Sequence, residues 1–199
     1  MIRCLLLLIV FPWSLHLSGQ VDLFQGYLIT LDGKRLGGQI GAINRVHNDF
    51  YLYFENDFGT DYNIRPQLIK GFSLFHDSFI YIYESHNYNG KWIYLQVIYP
   101  GDEILLYQTP NIQVNWIQDN ERIQPYIPKH KRLWIKPKNH KITKINRLNY
   151  KRKLKKLFHV VAPKLSKKIG KPGYRFKNIF SIIKEYNEQK KKTKARVLI

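Results

Sequence analysis

At 199 residues the chain is long enough for one domain with a real core, and its 44% hydrophobic and 15% aromatic content excludes a disordered polymer. The formal net charge of +19 is unevenly placed: residues 1–128 carry 8 Lys and Arg against 12 Asp and Glu, while residues 129–199 carry 25 against 2. The only cysteine is Cys4, which excludes a disulfide framework and any cysteine-based metal or nucleophile chemistry downstream.

The chain opens with one positive charge, Arg3, and a short apolar run from Cys4 to Leu15 that Pro12 interrupts. This is the layout of a signal peptide, and the run is shorter than the roughly 20 apolar residues a spanning helix needs. Small residues at Ser18 and Gly19 place cleavage near Gly19, so residues 1–19 are expected to be removed and the rest exported. The expected destination is the periplasm, the periphery of an outer membrane, or the medium. Leu17-Ser18-Gly19 approaches a lipoprotein box, but Gln20 stands where the lipid-bearing cysteine would be needed.

Residues 20–145 read as a β-rich domain. GYLIT, then Asp32-Gly33, then RLGGQIGAI is a hairpin signal, because Asp-Gly supplies the positive φ angles of a tight turn. FYLYF at 50–54 alternates, and a turn from Asp57 to Asp61 leads on to the strand Gly71–Phe75. SFIYIYE, Asn89-Gly90 and KWIYLQVIY make a second hairpin, and Pro100-Gly101-Asp102 turns the chain into EILLYQ. RIQPYI, RLWIK and HKITKI continue the series. Such spacing predicts an antiparallel meander, a sandwich or a partly open barrel.

The period then changes. Over 146–189, Tyr150, Leu154, Leu157, Phe158 and Val161 recur at helical spacing, Ala162-Pro163 opens a second short helix that Gly170 can end, and Asn178 is expected to cap a third. Ile179, Ile182, Ile183 and Tyr186 line one face of that third helix. Residues 190–199 read as a disordered basic tail. The expected class is α+β, mainly β, with two to three short basic C-terminal helices.

No catalytic or metal-binding signature emerges. His47, His76, His86, His130, His140 and His159 form no HExxH and no pair spaced for one helical face. Asp57 with Asp61, and Asp102 with Glu103, fall in turns, where aspartate commonly bonds nearby amides. There is no G-x-S-x-G, and the glycines at 33, 37, 38 and 41 belong to a hairpin, not to a phosphate loop. No cofactor is expected.

What remains is the basic third of the chain. Lys151, Arg152, Lys155, Lys156, Lys164, Lys167 and Lys168 are expected to gather on helical faces as an anion-binding surface. Export makes nucleic acid an improbable partner and points to anionic lipid, lipopolysaccharide phosphate or acidic glycan. A solvated basic face, or one that docks on the acidic β-domain, is the simpler alternative.

Two stretches carry a resemblance. GYLITLDGKRLGGQI resembles the opening hairpin GYxxTxxGxxxxGxI of exported Bacteroidota proteins, and APKLSKKIGKPGYRFKNIFSIIKEYN is similar to their C-terminal helical segment, which often ends in Tyr-Asn, here Tyr186-Asn187. The resemblance implies an envelope or secreted β-domain with a small helical tail, and brings no catalytic residues. The expected function is that of a non-enzymatic envelope protein whose basic segment binds an anionic surface or partner. The alternatives are an envelope-acting enzyme with a site in a β-domain cleft, or an assembly protein that binds another envelope protein.

Overall fold

Tight turns set the register of the strands. In the first, Gly33 takes φ +92°, a conformation costly for any residue with a Cβ, and its N–H donates to Thr30 O at 2.9 Å. The Thr30 hydroxyl bonds the Asp32 carboxylate, so the Asp-Gly turn is held from both sides. That fixes strand β1 (Phe24–Thr30) against β2 (Arg35–Val46), with Leu28 opposite Leu36. A second turn places Asn89 and Gly90 at φ +51° and +81° between β6 (Phe79–Tyr88) and β7 (Lys91–Tyr99). Between β3 (Asp49–Asn56) and β4 (Asp61–Ile64) it is Asn56, not either aspartate, whose side chain accepts the N–H groups of Phe58 and Thr60.

The computed structural model describes residues 22–47, 49–110, 124–125 and 132–197. The expected signal peptide at 1–19 lies outside the described residues, as does most of the RIQPYI segment. Two residues of that segment, β9 (Gln124–Pro125), pair with Asn44 and Arg45 of β2.

The remaining strands are β5 (Ile69–His76), β8 (Ile104–Gln108), β10 (Leu133–Pro137) and β11 (Thr143–Ile145). Together they form one antiparallel open sheet in the order β11-β10-β8-β7-β6-β5-β1-β2-β3-β4. Sequential order breaks after β4, where a 3-10 turn at Pro66–Leu68 returns the chain to the free side of β1 as β5, and again at β9, which pairs with β2 while β10 pairs with β8. That turn packs against β3, β6 and β7, and Tyr94 Oη donates to Ile64 O at 2.9 Å. The sheet therefore curls over a core of Leu28, Ile40, Leu52, Phe54, Phe72 and Tyr83 without closing into a barrel.

The helices complete a second core at the other end of the sheet. Period-two alternation sends Ile104, Leu106 and Ile135 to the helix side and Tyr107 and Trp134 to the opposite face. Against the first set pack Tyr150, Leu154 and Phe158 of α1 (Tyr150–Phe158), Leu165 of α2 (Pro163–Lys168), and Ile179, Ile182, Ile183 and Tyr186 of α3 (Ile179–Val197). Phe158 and Tyr186 stack with ring centroids 4.4 Å apart.

Helical hydrogen bonding starts before α1 proper. Asn146 Oδ1 accepts from the N–H groups of Leu148 and Asn149, and Asn149 Oδ1 accepts from Asn146 N at 2.9 Å. This reciprocal pair works as a capping box with asparagine in the place of glutamate. It also covers the sheet edge, because Lys153 Nζ donates to Lys144 O of β11 at 2.7 Å.

Two local expectations are corrected. Asn178 does not cap α3: it closes a 3-10 turn, Phe176–Asn178, that runs into the helix, and its Oδ1 is buried without a partner. Nor does the chain leave helical structure at residue 190. The helix continues to Val197, because 188–197 holds good helix formers and no glycine or proline, and Gln189 Nε2 reaches back to Glu185 at 3.1 Å. The third helix, Ile179–Val197, is the longest of the three.

Candidate functional site

All seven cations expected to form the anion-binding surface are exposed. The reason is local. At about 100° per residue, Lys151, Arg152, Lys155 and Lys156 fall within an arc of roughly 140° on α1, while Tyr150, Leu154 and Phe158 share the rest of the circumference and enter the core. On α2, Lys164, Lys167 and Lys168 take the solvent side, while Leu165 and Ser166 face inward. The two helices run alongside each other, since Ser166 Oγ donates to Lys155 O at 3.3 Å and the Lys151 side chain lies over Gly170. The charges of both helices are thus collected at one end of the molecule.

Lys168 differs from the other six. Its ammonium donates to Tyr174 Oη at 3.0 Å and to Glu185 Oε1 at 3.3 Å, and Tyr174 Oη in turn donates to Glu185 Oε2. The tyrosine hydroxyl and the glutamate raise the Lys168 ammonium above its ordinary value. Lys168 ties the 170–178 loop to α3. Among the described residues Lys151, Arg152, Lys155, Lys156, Lys164 and Lys167 form no ion pair. Lys153, between them in sequence, is turned to the β11 edge, and burial, aided by Arg152, lowers its pKa.

A second polar cluster lies on the sheet face away from the helices. Glu84 and His86 share that face of β6 because they are two residues apart, and Tyr107 reaches them from β8. Tyr107 Oη donates to Glu84 Oε2 at 2.7 Å, and His86 Nε2 stands 3.1 Å from the same oxygen, off the line of a hydrogen bond. Burial alone would raise the Glu84 carboxyl. The contacts of His86 and Tyr107, with Lys136 nearby, outweigh it and hold the carboxyl below the ordinary glutamate range. The pairing of Glu84 with His86 is legible from strand alternation; the arrival of Tyr107 depends on the register of β7 and is not.

Chemically this cluster is one ionised carboxylate with two partners. Ser85, the neighbouring hydroxyl, points to the other face beside Tyr94. Among the described residues no group of three or more His, Cys, Asp or Glu side chains could hold a metal ion. The cluster is a structural clamp across three strands, and its pH dependence follows from the sign of the shift. A lowered folded pKa gives a contribution that is full above the unfolded value of about 4.3 and is lost as pH falls through the folded value. Glu84→Gln is therefore expected to flatten the fall in urea midpoint on acidification from about pH 6 to pH 3. An unchanged slope would show that Glu84 does not govern the acid limb.

No protein-family model, no curated protein and no solved structure matches this chain.

Proposed function

We propose that this chain is a non-enzymatic exported envelope protein that holds an anionic surface or partner through the solvent faces of α1 and α2. The observation that carries the reading is the set of six exposed cations on adjoining helices with no ion pair among the described residues. Like charges gathered without counterions work against the compact state, so the arrangement favours an external anion that relieves the repulsion. The export component rests on the sequence of residues 1–19. Candidate partners carry phosphate or carboxylate: anionic lipid, lipopolysaccharide or acidic glycan. Attraction to a membrane of that kind is worth about 1 kcal/mol per Lys or Arg near the surface.

The test is cosedimentation with vesicles of phosphatidylglycerol and phosphatidylcholine, alongside retention on immobilised heparin. The protein is expected to bind at about 0.05 M salt and to be released at about 0.5 M, because the screening length falls from above 10 Å to below 5 Å. Reversing Lys151, Arg152, Lys155 and Lys156 to glutamate together is expected to abolish both interactions while leaving the unfolding midpoint within a few degrees. Binding that resists salt and survives the fourfold reversal would sink the reading.

A further inference from the structure

The basic face of α1 is bracketed by apolar side chains that the fold leaves in solvent. Leu148 is 93% exposed and Val160 is 83% exposed, against 0% for Leu154 and Phe158 between them. Neither belongs to a frayed end. Leu148 is held in the first helical turn by its own N–H to Asn146 Oδ1 at 3.0 Å, and that turn is closed by Tyr150 N to Asn146 O at 3.0 Å. Val160 lies within the turn closed by Ala162 N to Phe158 O at 2.8 Å.

Their angular position matters as much as their exposure. Extending the periodicity of α1 through its flanking turns at about 100° per residue, Leu148 falls inside the arc of Lys151, Arg152, Lys155 and Lys156, and Val160 falls just beyond Lys156. They lie in the hydrogen-bonded turns on either side of α1 (Tyr150–Phe158), so the cations occupy the interval between two apolar points. A soluble polyanion would use the charges and leave the leucine and valine in water. A bilayer interface offers phosphates to the cations and an acyl boundary to the apolar side chains at the same depth. Among the described residues no helix is long and apolar enough to cross a membrane, so contact of this kind is along the surface.

We infer that the occupant of this face is the surface of an anionic bilayer: Lys151, Arg152, Lys155 and Lys156 meet headgroup phosphates while Leu148 and Val160 enter the interface at either end of α1. The inference rests on the reading that α1 and α2 hold an anionic surface, and it names the lipid as that surface.

The experiment uses the double variant Leu148→Asn, Val160→Asn beside the parent protein. Both are titrated with phosphatidylglycerol/phosphatidylcholine vesicles and with soluble heparin at about 0.1 M salt. The variant is expected to lose about tenfold or more in vesicle affinity, since two apolar side chains no longer leave water, and to keep its heparin affinity within about twofold. An unfolding midpoint within a few degrees of the parent's certifies that the variant is folded. Equal vesicle affinity in parent and variant overturns the lipid assignment while salt-sensitive anion binding stands. A parallel loss of vesicle and heparin binding overturns it too, because the residues would then act through the fold. A parent that binds neither probe removes the underlying reading as well.

Discussion

Asn187→Ala is expected to destabilise the protein by about 3 kcal/mol, measured as the change in unfolding free energy in urea. Asn187 is a buried polar residue at the middle of α3, and its side chain makes four hydrogen bonds. Its Oδ1 accepts from Glu103 N at 2.8 Å and Ile104 N at 3.1 Å; its Nδ2 donates to Ile104 O at 3.1 Å and Ile183 O at 2.9 Å. Alanine would strand the Ile104 donor at the start of β8, where Ile104 is fully enclosed, and would remove the acceptor of the half-buried Glu103 N–H. Leaving a buried donor unsatisfied costs about 1–3 kcal/mol, so the stranded Ile104 N–H together with the lost bonds to Glu103 N, Ile104 O and Ile183 O accounts for the size of the effect. The neighbouring turn is built for the same contact: a Cβ on Gly101 would stand 2.5 Å from Asn187 Nδ2. A loss below about 1 kcal/mol would mean that Ile182, Ile183 and Tyr186 hold α3 by packing alone.

Gly26→Ala is expected to cost a similar amount, about 3 kcal/mol, for a reason that has nothing to do with a turn. Gly26 sits in β1, which has β2 on one side and β5 on the other. A Cβ there would lie 2.2 Å from Ser73 O of β5 and 2.8 Å from the Ile40 side chain of β2. The first neighbour is backbone and the second is a fully buried side chain, so neither can move without shifting a strand. Gly59 supplies the comparison. It has φ +74° and nothing within 4 Å of its position, so Gly59→Ala should lose only the roughly 1 kcal/mol of a strained backbone. Thermal or urea unfolding that ranks the two alike would show that the sheet yields around β1.

These two positions show what residues of the quoted N- and C-terminal motifs do in the fold. In GYLITLDGKRLGGQI, Gly26 admits a neighbouring strand, Thr30 and Gly33 close the turn, and Ile40 enters the core. At the other end, Tyr186 stacks on Phe158 and Asn187 ties the helix to β8. The first group serves the pairing and core of the sheet, and the second serves the docking of the helices on it.

Amino-acid order alone found most of the elements, though not β4 or the 3-10 turn that follows it. Asp32-Gly33 and Asn89-Gly90 located two hairpins because their φ requirements are local. The change from period two to period 3.6 after Ile145 located the helices, and the same periodicity placed Lys151, Arg152, Lys155 and Lys156 on the solvent face of α1 before any contact was known. Local propensity failed at Asn178, where a preceding 3-10 turn took over the start of the helix, and at 190–197, where lysines read as a solvated run are compatible with continued helix.

Relations between distant segments were decided only by the tertiary structure. The placement of β5 beside β1, the reach of Tyr107 to Glu84, the capture of Lys168 by Tyr174 and Glu185, and the docking of Asn187 on β8 each depend on sheet register or helix placement. The exposure of Leu148 and Val160 is of the same kind, because it follows from which helical face the shared core claims. Backbone conformation is governed by neighbours along the chain, and so can be read from them. Burial and pairing are set by which surfaces meet, and that is a property of the assembled sheet and helices.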